Sequence, residues 1–333
     1  ELAPVILLEG NHDLQANQIK ASSIEIYNTL SVENVLVAQE YDVMSIETKR
    51  GPVIIGTAPY PIRARLMQEM DARNLTVGQL DSALEASLIE ILGQMAVEAD
   101  ALDTTGTTPR LLTGHFTVRG AALGSERSVM LGRDVQISLN LLADQRWDYV
   151  ALGHVHKHQN LTHNRDEAPP VVYSGSIERI DFGEESDPKG YCWVKLERGK
   201  ADWQFCRVDA RPMVTLRMDC RKDPHPTGTV IRAIKSHHLE GAIVRLLVKL
   251  SPETNAVLKD GPVREALRES GVFHVAALSR DVDYPDRARL NDNPEGLSHE
   301  ELLEQYFKQR GYDHQHQQRL LAAAQPLLFP DQH

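Results

Sequence analysis

Several short stretches of this 333-residue chain carry side chains that can bind a metal or move a proton. Gly10-Asn11-His12-Asp13 follows directly on the apolar run Val5–Leu8. Asn offers a neutral oxygen ligand, His a ligand or a proton donor, and Asp an acceptor that can fix the tautomer of an imidazole. His115 ends a second apolar run, Leu-Leu-Thr-Gly-His. Gly153-His154-Val155-His156 ends a third, and residues two apart in an extended segment face the same way, so His154 and His156 can both reach one centre. A lone His of this kind is usually a core or surface residue. Three strand ends that all deliver His or Asn favour a metal centre over coincidence, and imidazole with amide oxygen suits Mn, Fe or Zn better than Ca or Mg. Tyr173-Ser174-Gly175-Ser176 is a turn of small residues whose amides and the hydroxyls of Ser174 and Ser176 either hold a phosphate or simply end a strand.

These groups need a scaffold that presents strand ends on one side. Open α/β sheets do so, placing ligands at the carboxyl ends of their strands. Short apolar runs alternate with amphipathic stretches from Pro4 to about Arg207, as in a layered α/β domain. The predicted strands are Val5–Leu8, Val35–Ala38, Val53–Ala58, Leu111–Gly114, Tyr149–Leu152, Val171–Ser174 and Tyr191–Leu196. The predicted helices are Asn17–Leu30 and Val77–Ala99, the second with Leu80, Leu84, Leu88, Leu92 and Met95 on one face. The character changes around Asp209–Pro212. Residues 213–282 read as a small α+β module, 283–294 as a linker, and Ser298–Gln309 with His314–Leu328 as two amphipathic helices. Ser298 and Glu301 form a capping-box start.

Composition bounds the rest. With 41% hydrophobic and 25% charged residues the chain is globular, and no apolar run approaches the roughly 18 residues that span a bilayer. Three cysteines without CxxC spacing point to a reducing, cytoplasmic setting rather than a disulfide framework. The net charge of −11 is uneven: residues 206–290 hold 15 Lys/Arg against 11 Asp/Glu, a local +4 that is compatible with DNA contact or with ordinary fluctuation.

Asn-His-Asp, then a lone Gly-His, then Gly-His-x-His, in this order, resembles the later motifs of the calcineurin-like metallophosphoesterases. Within them the chain is most similar to the SbcD-type DNA nucleases, through TAPYPIRARLM (57–67), LLTGHFTVRGA (111–121), YVALGHVHKHQ (149–159) and VVYSGSIERIDFGEESDPKGY (171–191). The resemblance implies a layered β-sandwich flanked by helices as the nuclease domain (1–205). It also implies a small α+β capping domain over DNA (206–285), and a linker and helical hairpin (286–333) that docks on the coiled coil of an SbcC-type ATPase. By the same resemblance Asn11, His115 and His154 are ligands of one divalent metal and His156 of a second, Mn²⁺ being the usual pair. His12 is the catalytic histidine, oriented by Asp13. Such subunits form a homodimer within a heterotetramer, nucleoid-associated and without a membrane anchor, and act in double-strand break repair.

The family also has earlier Asp-x-His and Gly-Asp-x-x-Asp motifs, and neither stands ahead of Gly10-Asn11-His12-Asp13 in this sequence. The expectation is therefore a chain that begins inside the nuclease domain, binds at most one metal and is inert by itself. A phosphatase of another substrate class on the same scaffold, or a non-catalytic DNA- or ATPase-binding scaffold, are the rival readings.

Overall fold

The computed structural model describes residues 3–14, 22–66, 76–124, 135–283, 298–309 and 312–328. It is a mixed α/β chain that divides into two compact units, Glu1–Val214 and Thr215–His333.

In the first unit β1 (Val5–Leu8) pairs in parallel with β2 (Val35–Ala38). β3 (Asp42–Thr48) and β4 (Gly51–Ala58) form an antiparallel pair. β4 then runs parallel to β5 (Arg110–His115). Beyond it lie the short pair β6 (Thr117–Val118) and β7 (Gln136–Ile137), then β8 (Tyr149–Gly153), parallel to β5. β9 (Gln159–Asn160) and β10 (Val171–Tyr173) complete a six-stranded sheet ordered β3-β4-β5-β8-β10-β9. Its four central strands are parallel, so their carboxyl ends point one way. A hairpin of β11 (Gly190–Glu197) and β12 (Lys200–Arg207) follows, joined by Arg198-Gly199 with Gly199 in the left-handed region (φ 80°).

The helix Val77–Leu102 begins at a capping box between Thr76 and Gln79. Leu84, Leu88, Leu92 and Met95 are buried among Ile54, Leu112, Val150 and Leu152 of the sheet. The two-residue strands β6, β7 and β9 are too short to show a pattern in the sequence, and β3 and β12, also unpredicted, are half-exposed partners whose apolar content is diluted by polar residues. The predicted helix Asn17–Leu30 is corrected. Residues 15–21 lie outside the described residues; among those described, Ser22–Glu25 is coil and turn and only Ile26–Thr29 is helical. The cause is side-chain competition: Ser23 Oγ bonds Asp13 Oδ1 at 2.6 Å, and Ser22 Oγ accepts from Gln39 Nε2 at 3.2 Å.

Two buried carboxylates anchor the amino ends of the strands that lead to the histidines. Asp148 Oδ2 accepts from Arg110 N at 2.7 Å, tying β5 to β8, while its Oδ1 takes Arg198 and the Gly199 amide. Asp103 accepts from Gly106 N (2.9 Å) and Thr105 Oγ1 (3.0 Å), and pairs with the buried Arg110 guanidinium at 3.1 Å. Burial opposes the charge on Asp103, but the bonds from Arg110, Thr105 and Thr108 outweigh it and hold the carboxyl well below its ordinary range. A carboxyl depressed on folding stabilises the protein above its unfolded pKa, and that stability is lost as the pH falls toward the folded value. Asp103→Asn should therefore lower the melting temperature at pH 7 and remove part of the wild-type decline below about pH 4. An unchanged acid slope in melts from pH 7 to 3 contradicts the assignment.

In the second unit β13 (Met213–Asp219), β14 (Ile243–Leu250) and β15 (His274–Val282) form a three-stranded sheet, β14 and β15 being parallel with a register shift at Val244/Arg245. Helices Pro226–Lys235, Pro252–Val257 and Asp260–Glu269 accompany it, and Val230, Ile234, Val244, Leu246, Val263 and Leu267 are buried. The helices His299–Gln309 and His314–Leu328 pair with each other. Among the described residues no helix is long and apolar enough to cross a membrane.

Candidate metal centre

Strand register brings the first donors together. In the parallel β5–β8 pairing His115 lies opposite Gly153, so His154 is the next residue along and faces the same end of the sheet. β1 delivers Gly10 and Asn11 there as well, because Tyr60 N donates to Glu9 O at 3.0 Å and Glu9 N to Ala38 O at 3.0 Å. Asn11 Oδ1 then sits 2.9 Å from His115 Nε2 and 3.1 Å from His154 Nδ1. The two imidazole centroids are 5.0 Å apart, and the Tyr60 ring packs on both, at 6.1 and 5.7 Å. The three residues converge although up to 143 positions separate them.

Two features mark the cluster as built rather than incidental. His115 lies between two glycines: a Cβ on Gly10 would stand 2.7 Å from its Cε1, and one on Gly153 3.0 Å from its Nδ1. His154, only 7% exposed, has φ 89°, a conformation that costs a residue with a Cβ about 1–3 kcal/mol. Donors on one metal at bonds of about 2.0–2.2 Å lie about 2.8–3.6 Å from one another across adjacent edges, which is the spacing seen here. The same separations serve as hydrogen bonds, so the donor set is held ready and suits a borderline divalent metal. Among the described residues no three His, Cys, Asp or Glu side chains gather as a metal site; the donors that meet are two imidazoles and an amide oxygen.

The other candidate residues are placed as follows. His12 is exposed in the turn after Asn11. Asp13 Oδ2 accepts from Gly10 N at 2.9 Å and its Oδ1 from Ser23, so this carboxylate shapes the loop that carries Asn11 and His12. His156 Nδ1 is 2.7 Å from Glu184 Oε1. Ser174 follows β10, its N–H on Leu152 O at 3.4 Å. Ser176, whose hydroxyl the sequence left as either holding a phosphate or ending a strand, has its Oγ on Lys189 Nζ at 2.7 Å and within 3.4 Å of Glu184 Oε2. Tyr173 ties the His115 strand end down: its hydroxyl donates to Phe116 O at 2.6 Å and accepts from Val118 N at 3.0 Å. Tyr60, Tyr173, Glu184 and Lys189 escaped the sequence reading as site residues. Their signal was their place in the segments 57–67 and 171–191 that carry the resemblance, which marks the segments without singling out these side chains.

Gly10→Ala should push its methyl into the His115 ring, since the contacting atoms belong to a packed imidazole held by Asn11. Overpacking of this kind costs about 1–3 kcal/mol, so a melting temperature lowered by several degrees is expected together with weaker Mn²⁺ binding. Wild-type values in both calorimetric measurements contradict the close approach.

No family model matches the chain. It is 24% identical over 216 residues to the SbcD component of the SbcCD nuclease of Staphylococcus saprophyticus, covering 65% of this chain and 51% of that protein. The component of the same name from Rhodobacter capsulatus is 24% identical over 223 residues, 64% of this chain and 52% of the relative. That of Staphylococcus epidermidis is 22% identical over 202 residues, 59% and 47% respectively. Over 59–65% of its length this chain is similar to SbcD-type nuclease subunits. It spans about half the length of the curated relatives it matches.

Proposed function

We propose that this chain carries phosphodiester-hydrolysing machinery of a metal-dependent DNA nuclease subunit that works with an SbcC-type ATPase in DNA end processing and repair. The observation that supports it most is the meeting of Asn11, His115 and His154 at one end of a parallel sheet. In this reading those three residues hold one divalent metal, Mn²⁺ by preference, and His156 belongs to a second. A metal held there supplies Lewis-acid polarisation of a phosphodiester oxygen and stabilises the charge that develops at phosphorus. His12, exposed beside Asn11, is within the loop that meets a substrate and donates a proton to the departing sugar oxygen. Asp13 keeps that loop in shape through Gly10 and Ser23. Tyr60 covers the two imidazoles with an apolar ring and limits water at their inner face.

The first unit is then a layered phosphoesterase domain, and the second supplies a capping module over DNA from the segment that is net positive. The paired helices His299–Gln309 and His314–Leu328, with half-buried Leu302, Leu303, Phe307, Leu320 and Leu321, are the docking element for the ATPase. The relatives are named as components of SbcCD, which supports DNA and an SbcC-type partner as ligands.

The deciding experiment uses the full-length natural protein. Mn²⁺-dependent shortening of linear duplex DNA that His154→Ala abolishes is the expected result. Turnover of nitrophenyl phosphate with DNA left intact would instead favour a phosphatase, and Mn²⁺ binding without either reaction a scaffold.

A further inference from the structure

The segment Ser174–Lys189 contains a buried charged pair that lies outside the Asn11, His115 and His154 cluster. Glu184 is 1% exposed and Lys189 2%, both with side chains essentially removed from solvent. Burying two ions carries a large desolvation cost, which is offset only where geometry is good and the remaining donors and acceptors are satisfied. Here they are. Lys189 Nζ reaches Glu184 Oε2 at 2.6 Å, Ser176 Oγ at 2.7 Å and His156 O at 3.2 Å. Glu184 Oε2 also takes the Ile180 amide at 3.3 Å. The other oxygen, Oε1, faces His156 Nδ1 at 2.7 Å. The backbone of His156 is held as tightly as its ring. Ser176 N donates to His156 O at 3.1 Å, and Gly175 (φ 77°) packs so closely that a Cβ would stand 2.7 Å from that oxygen.

We propose that Glu184 is the positioning residue of His156: with Lys189 as its fixed counter-charge, it keeps the imidazole proton on Nδ1 and the lone pair on Nε2. The chemistry follows from the distances. A carboxylate is an acceptor only, so a 2.7 Å contact requires the proton on Nδ1. The neutral ring then has its donor pair on Nε2, the form in which an imidazole ligates a divalent cation, and an anchoring carboxylate fixes the ring orientation that such ligation needs. Lys189 supplies the second half of the design. Without it the buried carboxylate would have no full positive partner and would be free to rotate toward any donor that entered. Ser176 closes the network on the side away from the ring.

The inference rests on reading His156 as a ligand, but its principal test does not. Long-range proton–nitrogen NMR on the metal-free protein reports the tautomer of His156 directly. The Nδ1–H form is expected in the wild type and in Ser176→Ala. In Glu184→Ala paired with Lys189→Met, which leaves no orphaned charge, the ring should lose that preference. An Nε2–H tautomer in the wild type, or an unchanged Nδ1–H form in the paired variant, overturns the proposal. The second readout is paramagnetic broadening of the His156 ring signals during titration with Mn²⁺ alone. Half-broadening is expected to need about 10–100-fold more Mn²⁺ in the paired variant; equal broadening in both proteins overturns the proposal. Absence of any Mn²⁺ effect on the wild-type ring counts against His156 as a ligand, and the tautomer result then decides the role of Glu184 by itself.

Discussion

Mn²⁺ affinity should fall by on the order of 100-fold or more when His154 is replaced by alanine, because loss of a ligand exceeds the 10–100-fold typical of losing a ligand's supporting bond. The same should hold for His115→Ala. Neither His115 nor His154 belongs to the packed apolar core of the sheet and the helix Val77–Leu102. Position 154 allows a sharper form of the experiment. With φ 89° the backbone there strains any residue that has a Cβ. His154→Gly should therefore be more stable than His154→Ala by about 1 kcal/mol, while both lose the metal equally. Calorimetric titration with Mn²⁺ and paired melting curves provide the two numbers. Wild-type affinity in either variant removes His154 from the site, and a less stable glycine variant removes the strain.

Lys189→Met should be the most destabilising single change in the first unit, by about 3–5 kcal/mol, because it leaves the Glu184 carboxylate buried without its counter-ion. For a unit of this size that corresponds to a melting temperature lower by roughly 10 °C. Glu184 is held below the ordinary carboxyl range: burial opposes its charge, and the bonds from Lys189, His156 and the Ile180 amide outweigh that. Most of this balance is removed with the lysine. Adding Glu184→Gln to Lys189→Met should recover about half of the loss, since two neutral groups need no counter-charge. Additive losses in the double variant, measured by denaturant titration, would show that the two side chains act independently.

The candidate donors could be picked out by type and local spacing. Asn11, His115, His154 and His156 each stand at the end of an apolar run, and a strand that ends in Gly-His announces itself without any knowledge of its neighbours. The helix on Leu84, Leu88, Leu92 and Met95 was equally plain, because its 3.6-residue period is a local property. The two-strand partners β3 and β12 and the break at Ser22–Glu25 were not legible. Their outcomes depend on hydrogen-bond partners elsewhere, Asp13 and Gln39 in the second case.

Sequence alone determined which atoms could bind a metal; the tertiary structure decided which of them meet. His115 joins Asn11 and His154 only because β5 lies beside β8 in a register that sets His115 against Gly153, and strand order is a long-range choice that no local pattern encodes. The glycine at 153 reads locally as a turn residue, yet its absent side chain is what admits the His115 ring. Glu184 and Lys189 sit in a run of charged residues with no local pattern that marks burial. Folding buries them because the carboxylate, the ammonium and the His156 imidazole satisfy one another at 2.6–2.7 Å, and such mutual satisfaction exists only once the chain has brought them together.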